Sequence, residues 1–265
     1  MFVRAFAILV LVGLALPPAA AAPYVANGLQ LEDLTWTELK SRVGGGATTI
    51  LVPIGGTEQS GPGIALGKHN ARVRVLANQI ALEVGNTLVA PVIAYVPEGD
   101  IDPPTSHMRF PGTLSLSHAA FQETLIDAAR SLRAAGFRDI VFLGDHGGYQ
   151  SDLTHAADAL NKEWAKSPAR AHALPEYYGA TQIAYVAALE KQGYTKAEIG
   201  VHAGLADTSL ALALTPSLVH REKLTARESD GVQGDPKRAS AELGQLGVNA
   251  IVDASVAAIR KARMR

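Results

Sequence analysis

Apolar positions along the chain form two kinds of pattern, and their alternation indicates the fold. Continuous apolar runs rich in β-branched residues, typical of strands buried on both faces of a sheet, occupy residues 48–54, 87–96 and 139–143, with a shorter run at 172–174. Apolar residues recur at helical spacing over 70–84, 117–135, 150–164, 181–192, 205–214 and 236–263, the last with an interruption expected near the glycines at 244–247. Strands alternating with helices predict a three-layer α/β/α fold around a mostly parallel central sheet.

The N-terminal residues follow a different pattern. A short basic start is followed by an apolar run over residues 5–16, by two prolines and by small residues at 19–22. This order is typical of a signal peptide, and the apolar run is short for a permanent membrane anchor. We therefore expect residues 1–22 to be a signal peptide, residues 23–265 to form a single domain, and the mature protein to be periplasmic or secreted. An uncleaved membrane tether is the alternative.

Composition narrows the class of partner. The 265 residues are 48% hydrophobic, which is enough for one α/β domain with a substantial core. Lys and Arg number 24 against 25 Asp and Glu, so the chain lacks the basic excess expected of a protein that binds nucleic acid or acidic membranes. A small-molecule substrate is therefore expected. Because there is no cysteine, any metal must be held by His, Asp or Glu, a donor set that suits zinc, manganese or iron.

Polar residues follow two of the predicted strands. Glu58 and His69 lie in one glycine-rich segment after the first strand, and His146 follows the strand at 139–143. Ligands of parallel α/β sheets bind at the carboxyl ends of the strands, where a carboxylate and imidazoles can converge on one ion. For each residue the ordinary alternative stays open: a solvated glutamate, a helix-capping histidine, or a half-exposed histidine in a turn.

Two further segments carry candidate chemistry. His202 and Asp207 precede or open the apolar helix at 205–214, and an imidazole there suits a proton carrier, although Asp207 could simply cap the helix. His107 lies in the long polar loop at 97–111. Long loops in compact domains are often functional, so His107 is a candidate for lining a substrate pocket.

Together these segments resemble the creatininase (creatinine amidohydrolase) family over essentially the whole mature chain, with the motifs in the same order. The resemblance is carried by PIGGTEQSGPGIALGKH (53–69), FPGT (110–113), GDHGGY (144–149), HAGLADTS (202–209) and GVQGDPKRASAELG (231–244). It implies a site with two metal ions bridged by a carboxylate and a water, cleavage of cyclic amides or related C–N bonds, and a homo-oligomer, often a hexamer.

The resemblance also shows where this chain departs from the family pattern. Glu58 and His146 match ligands of the first metal, whereas His69 stands where the bridging aspartate is normal. Ser60 stands where a histidine ligand of the second metal is normal, and Tyr149 replaces an asparagine. A neutral imidazole offers one lone pair to one ion and cannot bridge two, and serine replaces imidazole poorly. The second ion therefore loses its bridge and a ligand together.

These departures predict a site with one metal ion, held by Glu58, His69 and His146, with zinc expected and manganese or iron as alternatives. His202 is expected to carry a proton to the leaving group. Asp207 is expected to orient a ligand or a proton carrier, or to approach the metal, and Glu58 to serve catalysis as well. The substrate pocket is expected to be lined by His107, Tyr149 and Ser60.

The predicted function is therefore a metal-dependent hydrolase that acts on a small, cyclic amide or a related C–N or lactone bond. The alternative from another class is a non-catalytic periplasmic binding protein or pseudoenzyme on the same fold. We expect a small-molecule substrate, no nucleic acid, no membrane association after signal removal, and a homo-oligomer.

Overall fold

A computed structural model describes residues 28–263, so the predicted signal peptide lies outside the described residues. The central sheet has the strand order β2-β1-β3-β4, and every neighbouring pair is parallel. The strands are β1 (Thr49–Ile54), β2 (Thr87–Val89), β3 (Asp139–Gly144) and β4 (Arg170–Ala173). The predicted parallel α/β sheet is confirmed.

Helices cover both faces of the sheet because successive strand residues point to opposite sides. The helices are α1 (Trp36–Gly44), α2 (Lys68–Val84), α3 (His118–Ala134), α4 (Gln150–Glu163), α5 (Pro175–Gln182), α6 (Ala184–Lys191), α7 (Lys196–Ile199), α8 (Leu205–Leu214) and α9 (Ala241–Arg263). Ile50 and Phe142 belong to the core shared with α3 and α4. Leu51 and Val141 belong to the core shared with α2, α5, α8 and α9. The three predicted layers are therefore present.

Several predicted elements differ from the observed ones. The strand expected over 87–96 ends at Val89, since Pro91 has no N–H to donate to a sheet ladder. The helix expected over 181–192 is two helices, α5 and α6, separated at Ile183. Helix α2 begins at Lys68 instead of residue 70, which puts His69 into the first turn of a helix and out of the loop where it was expected.

Helix α9 is continuous, so the predicted interruption near its glycines is wrong. The glycines allow close packing instead. A Cβ atom on Gly244 would lie 2.0 Å from the main-chain oxygen of Ser209 in α8, and one on Gly247 would lie 2.9 Å from the Tyr185 ring. Because these two glycines have no side chain, α9 can pack closely against α8 and α6.

Within residues 28–263, no helix is both long enough and apolar enough to cross a membrane.

Candidate active site

The carboxyl ends of the central strands open into a cavity of about 640 Å³. Glu58 follows β1, Glu98 lies in the extended segment after β2, and His146 directly follows β3. His107 reaches the same place from the short 3₁₀ turn Ser106–Arg109 in the long loop. Residues far apart in the sequence thus meet at one edge of the sheet, as expected for a parallel α/β fold.

Four of these side chains form a group that could hold a metal ion. We call Glu58, Glu98, His107 and His146 the carboxylate–histidine cluster; one donor atom from each lies within 4.8 Å of all the others. Glu58 Oε2 is 3.1 Å from His107 Nε2 and 3.5 Å from His146 Nε2, and Glu98 Oε2 is 3.4 Å from His146 Nδ1. Both glutamates are buried, and both histidines are half-buried.

The cluster has acceptors without donors. Glu58 Oε2 and both carboxylate oxygens of Glu98 have no hydrogen-bond partner among the described residues. Burial and the neighbouring charge of Glu58 raise the pKa of Glu98 to about 9, while burial lowers the pKa of His146 to about 4 and keeps that imidazole neutral. Two adjacent carboxylates and a neutral imidazole are a donor set that suits a divalent cation.

Beside the cluster lies a second group of charges, which we call the ion-paired network: Lys68, His69, Arg72, Asp145 and Asp207. The Lys68 ammonium contacts Asp207 and lies 3.4 Å from Glu58 Oε1. Arg72 binds Asp145 at 2.8 Å and Asp207 at 2.6 Å. Burial alone would raise the pKa of Glu58, but Lys68 and the hydrogen-bonded His69 outweigh burial and hold it well below its usual range.

The predicted role of His69 as a metal ligand does not fit this geometry. Its Nδ1 lies 2.5 Å from Asp145 Oδ2, and its Nε2 lies 2.8 Å from Glu58 Oε1. His69 Nδ1 also lies 2.9 Å from Arg72 Nη2, so protein side chains already contact both ring nitrogens. His69 therefore connects the ends of β1 and β3, and the group that could hold a metal contains Glu98 and His107 but not His69.

Two of the residues expected to line the substrate pocket lie elsewhere. The Tyr149 hydroxyl is buried, 2.6 Å from the Gly55 carbonyl oxygen, and accepts from the main-chain N–H groups of Asp145 and His146. Ser60 is also buried, and its hydroxyl has no partner among the described residues. Neither side chain belongs to the cavity wall. Tyr149 instead holds the turns after β1 and β3 together.

The other predicted site residues do reach the cavity, whose wall includes His107, His202 and Asp207. The His202 Nε2 donates to the main-chain oxygen of Gln59 at 2.9 Å, and its Nδ1 lies 3.6 Å from Glu58 Oε1. Burial and the nearby Lys68 lower the pKa of His202 to about 3, so its ring is neutral. Asp207 accepts from Lys68, Arg72 and the N–H of Ala203, an arrangement that suits the expected orienting role.

Sequence reasoning missed four residues of the site: Glu98, Lys68, Arg72 and Asp145. Glu98 had a usable signal, since it is a carboxylate within a few residues of the end of an apolar run, as Glu58 is. Lys68 and Arg72 are four positions apart at the start of α2, a spacing that puts both on one face of a helix. Asp145 directly precedes His146 at the end of β3, and a single aspartate in a turn gives no local signal of a buried ion pair.

Comparison with known proteins agrees with this architecture. The family model described as "Creatininase: Creatinine amidohydrolase" matches residues 32–259. Creatinine amidohydrolase of Pseudomonas putida is 26% identical over 86% of this chain and 95% of its own length. The mycofactocin precursor peptide peptidase of Mycobacterium tuberculosis is 28% identical over 77% of this chain and 82% of its own. The 3-dehydro-scyllo-inosose hydrolase of Thermotoga maritima is 27% identical over 77% of this chain and 62% of its own.

Solved structures show the same fold. A crystal structure of creatinine amidohydrolase aligns with a TM-score of 0.75 at 24% identity, covering 89% of this chain and 98% of the other. Similar structures include a manganese form of creatininase and a variant of Zn–Zn type. The shared fold is a parallel α/β sheet with charged residues at the carboxyl ends of its strands. The chain belongs to the creatininase family, and it is an amidohydrolase-type enzyme.

Proposed function

We propose that this enzyme hydrolyses a small amide, or a related C–N or lactone bond, with the help of one divalent metal ion per chain. The observation that carries the proposal is the carboxylate–histidine cluster, which combines buried carboxylate oxygens without hydrogen-bond partners among the described residues and two histidines on the cavity wall. Zinc is the expected metal, with manganese or iron as alternatives.

Glu58, Glu98 and His146 are the residues that would hold the ion. They supply two carboxylates and a neutral imidazole, and three protein ligands with an open position are the usual arrangement of a catalytic zinc site. When bound, the ion would supply Lewis-acid chemistry, lowering the pKa of water and polarising the substrate carbonyl. This ligand set differs from the predicted one by Glu98 in place of His69.

The surroundings of Glu58 support one ion in preference to two. Its Oε2 faces the cluster, whereas its Oε1 accepts from His69 and faces the Lys68 ammonium at 3.4 Å. Glu58 Oε2 therefore has no hydrogen-bond partner among the described residues, whereas Oε1 already has Lys68 and His69 beside it. Among residues 28–263, the cluster is also the only group of at least three candidate ligands that converges in this way.

His202 is the residue proposed to move the proton. Its neutral ring has Nδ1 unprotonated on the side of Glu58, since Nε2 donates to the Gln59 carbonyl. As the water oxygen bonds to the substrate carbonyl carbon, Nδ1 takes a proton from that water. The proton then passes to the leaving nitrogen or oxygen as its bond to carbon breaks, so the acid and the amine or alcohol form with one water consumed.

The test is turnover by metal-free protein before and after one equivalent of zinc or manganese, against a panel of cyclic amides, lactones and formamides. The His146→Ala variant should lose both metal and turnover. The His202→Ala variant should keep its metal and lose most turnover, and full activity there would remove His202 from the mechanism. Tight binding of panel compounds without any turnover in metal-loaded protein would support the binding-protein alternative instead.

Export and assembly are proposed on the sequence alone. Residues 1–22 would be removed on export to the periplasm or outside the cell, and the mature chain would form a homo-oligomer, as the family resemblance implies. Amino-terminal sequencing of the secreted protein and light scattering after size-exclusion chromatography check these two points.

A further inference from the structure

The side-chain amide of Gln59 lies between the two cavity histidines, and main-chain groups fix its orientation. Gln59 Oε1 accepts from the N–H of Gly61 at 2.9 Å, while Nε2 donates to the carbonyl oxygen of Gly231 at 3.1 Å. Since an N–H only donates and a carbonyl only accepts, these contacts settle which end of the amide is nitrogen. Gly231 lies so close that a Cβ there would be 2.3 Å from Gln59 Oε1.

The remaining protons can be counted from these contacts. Gln59 Nε2 has two N–H groups and three polar neighbours: the Gly231 oxygen, His107 Nδ1 at 3.0 Å and His202 Nε2 at 3.2 Å. His202 Nε2 is itself a donor, because it bonds to the Gln59 main-chain oxygen. The second N–H of Gln59 therefore goes to His107 Nδ1, so a neutral His107 carries its proton on Nε2.

We propose that Gln59 is a positioning residue that fixes the proton of both cavity histidines on Nε2: its side-chain amide donates to His107 Nδ1, and its main-chain oxygen accepts from His202 Nε2. The Nε2–H of His107 lies 3.1 Å from Glu58 Oε2, and the unprotonated Nδ1 of His202 lies 3.6 Å from Glu58 Oε1. The two rings are adjacent, with centroids 4.4 Å apart. The inference rests on the proposed hydrolase and deepens it.

The consequence for the cluster is that His107 is not a metal ligand. A nitrogen that carries a proton has no lone pair to give, so His107 Nε2 is not available to an ion. His107 instead offers an N–H beside the reacting carbonyl. A donor in that position stabilises the negative charge that develops on oxygen during attack, while His202 receives the proton of the water.

Nitrogen-15 NMR of the histidine rings tests this assignment directly, because protonated and unprotonated ring nitrogens have different chemical shifts. Spectra of the full mature protein would be recorded metal-free and with one equivalent of zinc, and the His107→Gln and His202→Gln variants would assign the two rings. The expected result is Nε2–H for both rings in both states, with the signals of His146 changing on zinc addition. A proton on Nδ1 of His107 in the zinc form would overturn the proposal.

The Gln59→Leu variant supplies the functional arm. Loss of the amide should lower kcat by about 10–100-fold, the usual effect of removing a hydrogen-bond partner of a site residue, and His107 should no longer be confined to one tautomer. Zinc affinity should stay within about twofold, since Gln59 contacts none of the three proposed ligands through its amide. A large loss of zinc affinity with unchanged tautomers would contradict the positioning role.

The Gly231→Ala variant disturbs the same amide without changing either histidine, because the added Cβ would collide with the Gln59 side chain. In a folded Gly231→Ala protein, the ring-nitrogen signals of His107 should change as they do in Gln59→Leu. The tautomers are read without substrate, so the two proposals can fail separately. An Nε2–H pattern in a protein without turnover would uphold the positioning inference and remove the hydrolase proposal. Metal-dependent turnover with His107 protonated on Nδ1 would do the reverse.

Discussion

The carboxylate–histidine cluster and the ion-paired network lie side by side at the same edge of the sheet, yet they balance their charges in different ways. In the network, Arg72 lies between Asp145 and Asp207, and Lys68 between Asp207 and Glu58, so each buried charge has an opposite charge beside it. In the cluster, the oxygens of Glu98 have no hydrogen-bond partner among residues 28–263. The difference fits a network that holds the scaffold in place and the proposal that a cation completes the cluster.

The largest effect should come from breaking the network. Arg72→Met removes the guanidinium from two buried carboxylates and should lower the free energy of unfolding by about 3–5 kcal/mol, because an uncompensated buried charge is left behind. Arg74→Met is the matched control on the same helix. Its exposed pair with Glu32 should contribute less than about 1 kcal/mol. Urea unfolding of the two variants makes the comparison, and equal losses would show that the network has no special role.

A substitution in the carboxylate–histidine cluster should lower metal affinity and leave stability almost unchanged. Glu98→Gln removes a proposed ligand but no hydrogen bond, so zinc affinity should fall by about 100-fold while the metal-free protein keeps its unfolding free energy within about 0.5 kcal/mol. Glu228→Gln, at an exposed carboxylate of the cavity rim, should change neither quantity. Calorimetric zinc titration and urea unfolding measure both. A Glu98 variant that unfolds easily would place Glu98 with the scaffold.

A smaller effect is expected where the two groups are joined. Tyr149→Phe removes the hydroxyl that ties the turns after β1 and β3, leaving buried main-chain groups without a partner, and it should cost about 1–3 kcal/mol. The exposed Tyr95→Phe is the control and should be neutral. Since those turns carry both Glu58 and His146, zinc affinity should fall together with stability. Unchanged zinc affinity would show that the two groups are positioned independently.

The predictable part of the molecule was the part encoded by local pattern. Strand β1 and helix α8 could be placed nearly to the residue, because a continuous apolar run and a helical repeat are each visible within a few positions. The strand-end location of Glu58 and His146 followed from the parallel sheet itself.

The roles within the site could not be predicted so well, because they depend on contacts between distant segments. Whether His69 binds a metal or connects two carboxylates depends on the position of Asp145, which is 76 residues away in the sequence. Glu98 joins the cluster only because the chain after β2 turns back toward β1, where a Cβ on Gly56 would be 2.4 Å from Glu98 Oε1. Tyr149 points beneath the turn rather than into the cavity, and neighbouring residues in the sequence do not reveal that direction.

The close fit of Gly244 against Ser209 bears on how this enzyme could be adapted to a new substrate. Helix α8 carries Asp207 at the cavity and, two residues later, Ser209 at the contact with α9. A methyl group on Gly244 would push against Ser209 and so displace the part of α8 that carries Asp207. A mutant library aimed at altered specificity should therefore leave Gly244 unchanged and randomise positions on the exposed rim of the cavity, where Glu228 and Ser229 lie. Variants selected with substitutions in α9 would be expected to need compensating changes in α8.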